Sequence, residues 1–424
     1  HCWSSSFMRS RDSVRQLRSI DPVCWEGKCE PMKKESSEKS FELMKRNNIG
    51  LVYQTILAHS PLSRSDISVR TGLNKMTVTN CVRSLLETEL IYEMTNGEGP
   101  TGRKPIQLSL NVRAGVLIGV ELNILSCQIL VTDIAGNILE QRVDTAIAKN
   151  PQSFVREISR TARRCREQYG DWKYGVIGVG IALPGNYDRE TGCVAYISNM
   201  QNWNGFPIID AFRQELPDVP VACQNAGRAG AIGERYFGLF RQGEHFAYVH
   251  GAKGLALSIV DAAGHHAGDR GFQGRFGHMI IDVNGRPCIC GNRGCLEQYA
   301  SVGALGAAVF PDQDFDYLHL QELLNSAREE NPEVMKALEE VIFYLAVGIV
   351  NIINCFNPHQ VCIGGYLGTI LQNREKELTE RVNSMLLEQF RDEHKIVCSH
   401  LDEWGVSYGC IADLRNHLLD RMSL

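Results

Sequence analysis

The chain has 424 residues, of which 44% are hydrophobic and 22% charged, and its formal net charge is −5. This length predicts two or three domains, and the composition excludes a collagen-like or largely disordered protein. No apolar run approaches the roughly 20 residues that a membrane span requires, and residues 1–31 lack the apolar stretch of a secretory signal. We therefore expect a cytoplasmic protein without a membrane partner.

Cysteine usage separates one short segment from the rest of the chain. The 15 cysteines are odd in number, and most stand singly within apolar runs, as Cys127, Cys355 and Cys362 do. We expect these to be buried free thiols, because a lone cysteine behaves as a small hydrophobe and disulfides are rare in the cytoplasm. Only residues 288–295 hold a cluster of three.

The first part of the chain differs from the remainder in charge. Residues 32–113 hold twelve Lys and Arg against eight Asp and Glu, so a basic segment precedes an acidic one. A basic module on an acidic body predicts contact with phosphates at one end only. Residues 1–40 show no clear period, and we expect them to be disordered or a non-native extension, with Met32 as the natural start.

Residues 41–112 have the pattern of a winged helix-turn-helix. An apolar stripe over 49–57 predicts a helix that ends at Pro61. Two short capped helices joined by a glycine-containing turn follow, over 63–70 and from 74 to about 89. Strands near 91 and 106–110 flank a polar, glycine-rich turn, which indicates a hairpin wing.

The second helix of a helix-turn-helix enters the major groove, where its first turns meet base edges. The predicted base contacts are Asn74, Lys75, Thr77, Thr79 and Asn80. The predicted contacts to phosphates and to an adjacent minor groove are Arg64, Arg70 and Arg83, with Arg103 and Lys104 at the wing stem. The alternative is a small helical domain that mediates protein contacts.

From residue 113 onward the pattern becomes α/β. Strands are predicted over 116–120, 126–132 and 138–142, a helix over 151–168 and a buried strand over 175–182. Strands and helices then alternate to the end of the chain. This order fits two actin-like halves, although periodicity alone does not fix their topology.

The most specific motif is Gly277-His278, followed after nine residues by the run Cys288-Ile-Cys290-Gly-Asn-Arg-Gly-Cys295-Leu-Glu297. One imidazole and three thiolates supply the four ligands of a closed tetrahedral zinc site. Saturated coordination leaves no position for an activated water, so we expect a structural Zn²⁺. Unliganded loop thiols are the alternative.

This segment resembles the signature of the ROK family, which contains sugar kinases and sugar-responsive repressors. Other matching pieces are Ala182-Leu-Pro-Gly185, the region 199–203, Asn225 before an alanine-rich helix, Asn354-Cys-Phe-Asn-Pro358 and Gly364-Gly365. The resemblance implies a two-lobed, actin-like ROK domain over 113–424 with a zinc loop at 278–297. It also implies that an N-terminal winged helix-turn-helix marks the repressors, because the family's kinases lack one.

The resemblance also shows where kinase chemistry should lie. The family's phosphate loop, Asp-x-Gly-Gly-Thr, corresponds to residues 121–125, which read Glu-Leu-Asn-Ile-Leu. A second glycine-rich loop corresponds to 252–256, where one glycine remains, and the general base after Asn225 is replaced by Ala226. Alanine cannot accept a proton, and loss of a positioned base removes roughly 10²–10⁴ in rate. We therefore expect no kinase activity.

The family's sugar ligands map onto Asn225, Arg275, His278 and Glu297, with Ala226 at a fifth position. Arg275 replaces a carboxylate that accepts sugar hydroxyls, and a guanidinium prefers carboxylate or phosphate. We therefore predict an acidic ligand such as a sugar acid or sugar phosphate. The alternative is a salt bridge between Arg275 and Glu297 that closes a dead pocket. His278 would lie on both the zinc and the sugar site, which suggests that ligand occupancy is transmitted through the metal loop.

These features predict a sugar-responsive repressor of carbohydrate-utilisation genes, similar to xylose and N-acetylglucosamine repressors. Its partners would be double-stranded operator DNA, a small sugar or acidic sugar derivative, and further copies of the chain in a homodimer or homotetramer. Two alternatives remain at this point. One is a sugar kinase with an appended DNA-binding domain, and the other is a regulator that binds no ligand.

Overall fold

The computed structural model describes residues 37–94, 105–147, 150–240, 244–261, 264–266 and 273–418. The N-terminal unit contains α1 (Ser37–His59), β1 (Leu62–Ser63), α2 (Arg64–Thr71), α3 (Lys75–Glu87), β2 (Ile91–Met94) and β3 (Gln107–Leu110). Its strands form an antiparallel sheet in the order β1-β3-β2. Arg103 and Lys104, predicted at the wing stem, lie outside the described residues.

Helix α1 starts earlier than the sequence pattern indicates. It begins at Ser37, whereas the domain was expected to start at residue 41 and the extension to reach residue 40. Residues 44–47 are exposed and the buried stripe starts only at Ile49. The helical spacing of apolar residues marks only the turns that pack on a core, so it does not detect solvent-exposed turns at the start of a helix.

Local capping explains where α2 and α3 begin and end. The Ser63 hydroxyl accepts from the Asp66 amide at 3.2 Å, and the Asp66 carboxylate accepts from the Ser63 amide at 2.9 Å. Gly72, with φ +70°, ends α2 in the left-handed conformation, and the Asn74 side chain caps α3. Helix α3 ends at Glu87, two residues before the predicted Glu89, which adopts φ +57°.

The remaining chain forms two lobes with the same sheet topology. Lobe 1 has the strand order β10-β7-β4-β5-β6, and lobe 2 has β13-β12-β11-β14-β15. In each lobe the first three strands in sequence form an antiparallel meander, and the next two run parallel to the first strand. This repetition confirms the predicted two-lobed α/β architecture. The strands of lobe 1 are β4 (Val116–Leu122), β5 (Cys127–Asp133), β6 (Ile138–Asp144), β7 (Val176–Leu183) and β10 (Val221–Asn225).

The strands of lobe 2 are β11 (Phe246–Gly251), β12 (Leu255–Asp261), β13 (Gly264–His265), β14 (Gln360–Gly364) and β15 (Lys395–Cys398). A separate hairpin joins β8 (Asn186–Asp188) to β9 (Cys193–Tyr196). The helices are α4 (Pro151–Gln168), α5 (Ile208–Glu215), α6 (Ala226–Tyr236), α7 (Glu297–Ala300), α8 (Val302–Val309), α9 (Tyr317–Arg328), α10 (Pro332–Phe356), α11 (Gly365–Leu371), α12 (Glu375–Met385) and α13 (Gly405–Asn416).

Helix α10 is long and apolar enough to cross a membrane by length and composition, and half of its most apolar window is buried inside the molecule. Its residues Leu345 and Ile349 belong to the core of lobe 2. One face stays exposed, and it carries Cys355, which was expected to be buried. Cys127 and Cys362 are buried free thiols as predicted.

Helices α6 and α13 cross at very short range. A Cβ on Gly409 would lie 1.7 Å from the carbonyl oxygen of Ala229, and one on Gly233 would lie 2.2 Å from that of Gly405. Only glycine lets two backbones approach this closely. Because α6 follows directly on β10, this crossing fixes the position of α13 relative to the sheet of lobe 1.

Candidate functional site

The predicted zinc ligands come together. The ligand atoms of His278, Cys288, Cys290 and Cys295 all lie within 4.8 Å of one another. The Cys290 and Cys295 sulfurs are 3.6 Å apart, and the Cys288 sulfur is 3.7 Å from His278 Nδ1. A tetrahedral zinc with Zn–S bonds of about 2.3 Å holds its sulfurs about 3.8 Å apart, so these residues fit the ion.

Two glycines give the cysteine loop its shape. Gly291 and Gly294 adopt φ +93° and +69°, and a Cβ on Gly294 would lie 1.6 Å from the carbonyl oxygen of Asp282. The Cys288 amide donates to the Asn292 carbonyl at 2.9 Å across the resulting turn. This reversal returns Cys295 to the other ligands, and any side chain at position 294 would prevent it.

A cleft lies between the lobes and is lined by residues of both. All four predicted ligand residues, Asn225, Arg275, His278 and Glu297, line it. The Asn225 side chain is committed to the fold, since Nδ2 donates to the Gly185 carbonyl and Oδ1 accepts from the Gly227 amide. One hydrogen on Nδ2 and one lone pair on Oδ1 remain for a ligand.

Glu297 connects the cleft to the cysteine cluster. Its Oε1 lies 3.3 Å from the Cys288 sulfur and 3.4 Å from His278 Nδ1. A Cβ on Gly254 would lie 2.8 Å from Glu297 Oε2, and a Cβ on Gly277 would lie 2.9 Å from the same oxygen. Both glycines are therefore needed for this carboxylate to stand in the cleft.

Arg275 does not form the salt bridge with Glu297 that was the alternative to an acidic ligand. The only ion-pair partner of Glu297 within 4.0 Å among the described residues is His278. The Arg275 guanidinium lies 5.8 Å from the centre of the Tyr196 ring. Burial lowers the pKa of Arg275, against the smaller opposing effects of Tyr196 and Glu297. The cleft thus contains a desolvated cation without a carboxylate partner in the described part of the chain.

The segment that corresponds to a phosphate loop is a tight hairpin turn between β4 and β5. The Asn123 amide donates to the Ser126 carbonyl at 2.8 Å, and the Asn123 and Ile124 side chains face the cleft. Buried Glu121 lies 3.3 Å from Nε2 of His250 on lobe 2. A pair of side chains therefore joins the lobes where the family's kinases hold nucleotide phosphates.

Glu121 has a further partner in this buried contact between the lobes. The Gln128 amide nitrogen donates to Glu121 Oε2 at 3.2 Å and to the Glu403 carbonyl at 2.8 Å, while its oxygen accepts from the Tyr366 hydroxyl. Ala226, which replaces the family's base, is buried at the start of α6. Alanine at this position offers no general base for phosphoryl transfer.

Sequence reasoning missed several cleft residues. His250, Lys253 and Gln273 line the cleft, and the buried Gln273 Oε1 has no hydrogen-bond partner among the described residues. Burial lowers the pKa of the Lys253 ammonium. His250 and Gln273 stand outside the motifs, so no sequence signal marked them. Lys253 belongs to the loop 252–256, in which the sequence analysis noted only the loss of glycines.

The helix-turn-helix presents a polar face. Asn74, Lys75, Asn80 and Arg83 on or next to α3 are exposed, as is Arg70 at the end of α2, while Thr77 and Thr79 are half-buried. Asn74 also caps the Thr77 amide at 2.9 Å, and Arg64 pairs with Glu93 at 2.7 Å. Met76, which is 71% exposed beside Lys75, was missed because a methionine at a helix start reads as core.

The N-terminal unit shares one apolar core with lobe 1 and α13. Ile56 and Leu85 belong to the same buried cluster as Leu117, Ile411 and Leu414. Polar contacts add to it, with Gln54 Nε2 donating to Asn416 Oδ1 at 2.8 Å and the Tyr174 hydroxyl donating to the Thr88 carbonyl at 2.7 Å. Helix α13 therefore contacts both α6, which starts in the cleft, and α1.

A helix-turn-helix unit joined to a two-lobed α/β domain with a cleft between its lobes and a Cys₃His cluster defines a class of regulator built on a sugar-kinase scaffold. Residues 117–412 match the ROK family, and the chain belongs to it. It is 30% identical to the xylose repressor of Bacillus subtilis over 90% of this chain and 98% of that protein. It is 25% identical to the DNA-binding transcriptional dual regulator NagC of Escherichia coli over 91% of this chain and 96% of that protein.

Solved structures show the same fold. A ROK family transcriptional regulator, a homologue of the E. coli MLC protein, superposes with a TM-score of 0.72 and 23% identity, covering 90% of this chain and 98% of its own. A ROK family glucokinase from Streptomyces griseus, in complex with glucose and AMPPNP, superposes with a TM-score of 0.61 over 71% of this chain and 99% of its own, at 23% identity. The regulator covers the N-terminal unit as well as the lobes.

Proposed function

We propose that this chain is a cytoplasmic DNA-binding repressor of carbohydrate-utilisation genes that responds to a sugar-class effector and has no kinase activity. The observation that carries the proposal is the core shared between the helix-turn-helix unit and a domain that has Ala226 at the position of the family's general base. The full-length similarity to the xylose repressor supports it. We further propose that Zn²⁺ fills the Cys₃His cluster as a structural ion and that the repressor binds a palindromic operator as a homodimer or homotetramer.

The exposed face of α3 would read the operator. Asn74, Lys75, Thr77, Thr79 and Asn80 remain the proposed base contacts. Exposed Arg70 and Arg83 would contact phosphates, whereas Arg64 would first have to break its ion pair with Glu93. The exposed Met76 could contact a thymine methyl group.

A route through α6 and α13 would couple the cleft to the DNA-binding unit. Asn225 caps α6 at the cleft, α6 crosses α13 through glycines, and α13 ends at Asn416, which binds Gln54 of α1. An effector that changes the angle between the lobes would move α13 and therefore α1. Replacing Gln54 or Asn416 by Ala should reduce the effector's influence on operator affinity while leaving effector affinity unchanged.

The effector is proposed to be an acidic sugar derivative. A desolvated Arg275 without a described carboxylate partner stabilises a carboxylate or phosphate on the ligand. Calorimetric titration should show tighter binding of aldonic acids or sugar phosphates than of neutral pentoses and hexoses. Arg275→Gln should remove this preference, while Arg160→Gln, an exposed arginine on α4, should not. Tight binding of a neutral sugar that is unaffected by Arg275→Gln would disprove an acidic effector and leave the repressor assignment intact.

Kinase activity is tested directly. The purified chain should produce no sugar-dependent ADP from ATP, because Ala226 replaces the family's general base and residues 121–125 lack the glycines and threonine of its phosphate loop. Operator affinity, measured by fluorescence anisotropy on fragments of candidate promoters, should depend on sequence and fall with salt. Sugar-dependent ATP turnover, or equal affinity for all fragments, would contradict the proposed function.

A further inference from the structure

Three histidines lie side by side at the end of the lobe 2 sheet opposite the inter-lobe cleft. His245, His359 and His394 each directly precede a strand, namely β11, β14 and β15. In the parallel register Phe246 pairs with Gln360, and Gln360 pairs with Lys395. Continuing that register by one residue places the three histidines in one row across adjacent strands.

This row has the spacing of a chelating set. Adjacent strands lie about 4.8 Å apart, and residues at the same register of parallel strands point to the same face of the sheet. The three histidines line one surface cavity of about 430 Å³ together with Glu244, Glu393 and Asn357. Imidazoles this close can reach one ion at metal–nitrogen distances of about 2.0–2.1 Å.

His394 is already oriented as a ligand. Its side chain is buried, with 8% exposure, and Nδ1 lies 2.8 Å from the carbonyl oxygen of Pro358. That carbonyl can only accept, so Nδ1 carries the hydrogen and Nε2 presents a lone pair. Nε2 is buried and has no hydrogen-bond partner among the described residues. A backbone carbonyl that fixes one ring nitrogen while the other remains free is the arrangement that metal-binding histidines adopt.

We propose that this histidine row is a second metal site, separate from the cysteine cluster, and that it binds a divalent transition-metal ion such as Zn²⁺ or Ni²⁺. His394 Nε2 is the fixed ligand, and the exposed His245 and His359 complete the set after their rings rotate. This rotation is needed because, among the described residues, the cysteine cluster is the only group of three or more ligand atoms within 4.8 Å of one another. Imidazole ligands favour Zn²⁺, Ni²⁺ and Cu²⁺ over Mg²⁺ or Ca²⁺.

The test is a calorimetric titration of the full chain with Ni²⁺ in excess Mg²⁺, after the cysteine cluster has been loaded with zinc. We expect one further equivalent of Ni²⁺ to bind without release of zinc, as checked by elemental analysis. His359→Ala, an exposed change, and His394→Gln should each weaken Ni²⁺ binding at least about tenfold. His59→Ala removes an exposed imidazole at the end of α1 and should leave binding unchanged.

Three results would overturn the second site. They are the absence of a further equivalent, unchanged affinity in His359→Ala, and Ni²⁺ uptake matched by an equal release of zinc. Because His359 is exposed, its variant keeps the test valid if His394→Gln does not fold. Operator and sugar binding do not enter the readout, so failure here would leave the repressor proposal untouched.

Discussion

Replacement of Gly409 by Ala should destabilise the protein through the crossing of α6 and α13. The added Cβ would lie 1.7 Å from the carbonyl oxygen of Ala229 and 3.0 Å from the amide nitrogen of Gly233. Non-bonded atoms prefer separations of about 3.5–4.0 Å, so the helices would have to move apart by about 2 Å. The obstructing atoms belong to the backbone, so no change of rotamer relieves the clash.

The expected magnitude follows from two opposing effects. Overpacking of a core costs about 1–3 kcal/mol, and a contact this short lies at the upper end. Alanine in a helix gains about 0.5–1 kcal/mol over glycine. We therefore expect the free energy of unfolding to fall by about 2 kcal/mol. Gly50, inside α1 with no atom within 4 Å of an added Cβ, is the matched control, and Gly50→Ala should raise stability by about 0.5–1 kcal/mol.

Urea denaturation of both variants measures these opposite changes. Effector-dependent operator binding, followed by fluorescence anisotropy, should also weaken in Gly409→Ala, because α6 no longer fixes the position of α13. Equal stabilisation by the two alanines would refute the tight crossing. Full effector response in a destabilised Gly409→Ala would refute the proposed route between the cleft and α1.

Three further predictions concern the N-terminal unit and the cysteine cluster. Ser63→Ala should cost about 1 kcal/mol at neutral pH through loss of the capping box. Hydrogen bonds from Ser63 lower the pKa of Asp66, so their contribution to stability is present above the usual carboxyl pKa and is lost as pH falls through the lower folded value. The difference in free energy of unfolding between the wild-type chain and Ser63→Ala should therefore shrink in acid. A difference that stays constant as the pH is lowered would contradict this. Cys290→Ser should lower both the zinc content and the melting temperature, and a variant that keeps both would contradict a zinc site. Arg83→Ala should weaken operator binding and reduce the salt slope by about 1, whereas an unchanged slope would exclude a phosphate contact.

Local signals in the sequence account for much of the architecture. The caps at Ser63 and Asn74 and the left-handed Gly72 set the helix-turn-helix, because capping depends on residues only a few positions apart. The spacing from His278 to Cys295 predicted a four-ligand cluster, since the loop glycines let one short segment close on itself. The loss of the family's general base at Ala226 was visible in the sequence, because alanine has no side-chain group that accepts a proton.

Contacts between distant segments needed the tertiary structure. Pairing of Glu121 with His250, the separation of Arg275 from Glu297 and the row of His245, His359 and His394 all join segments that no local period relates. Strand order, sheet register and the glycine crossing of α6 and α13 decide which side chains meet. A short motif determines its own backbone, but packing free energy summed over the whole core determines where that backbone lies, and the neighbours of each site residue follow from that packing.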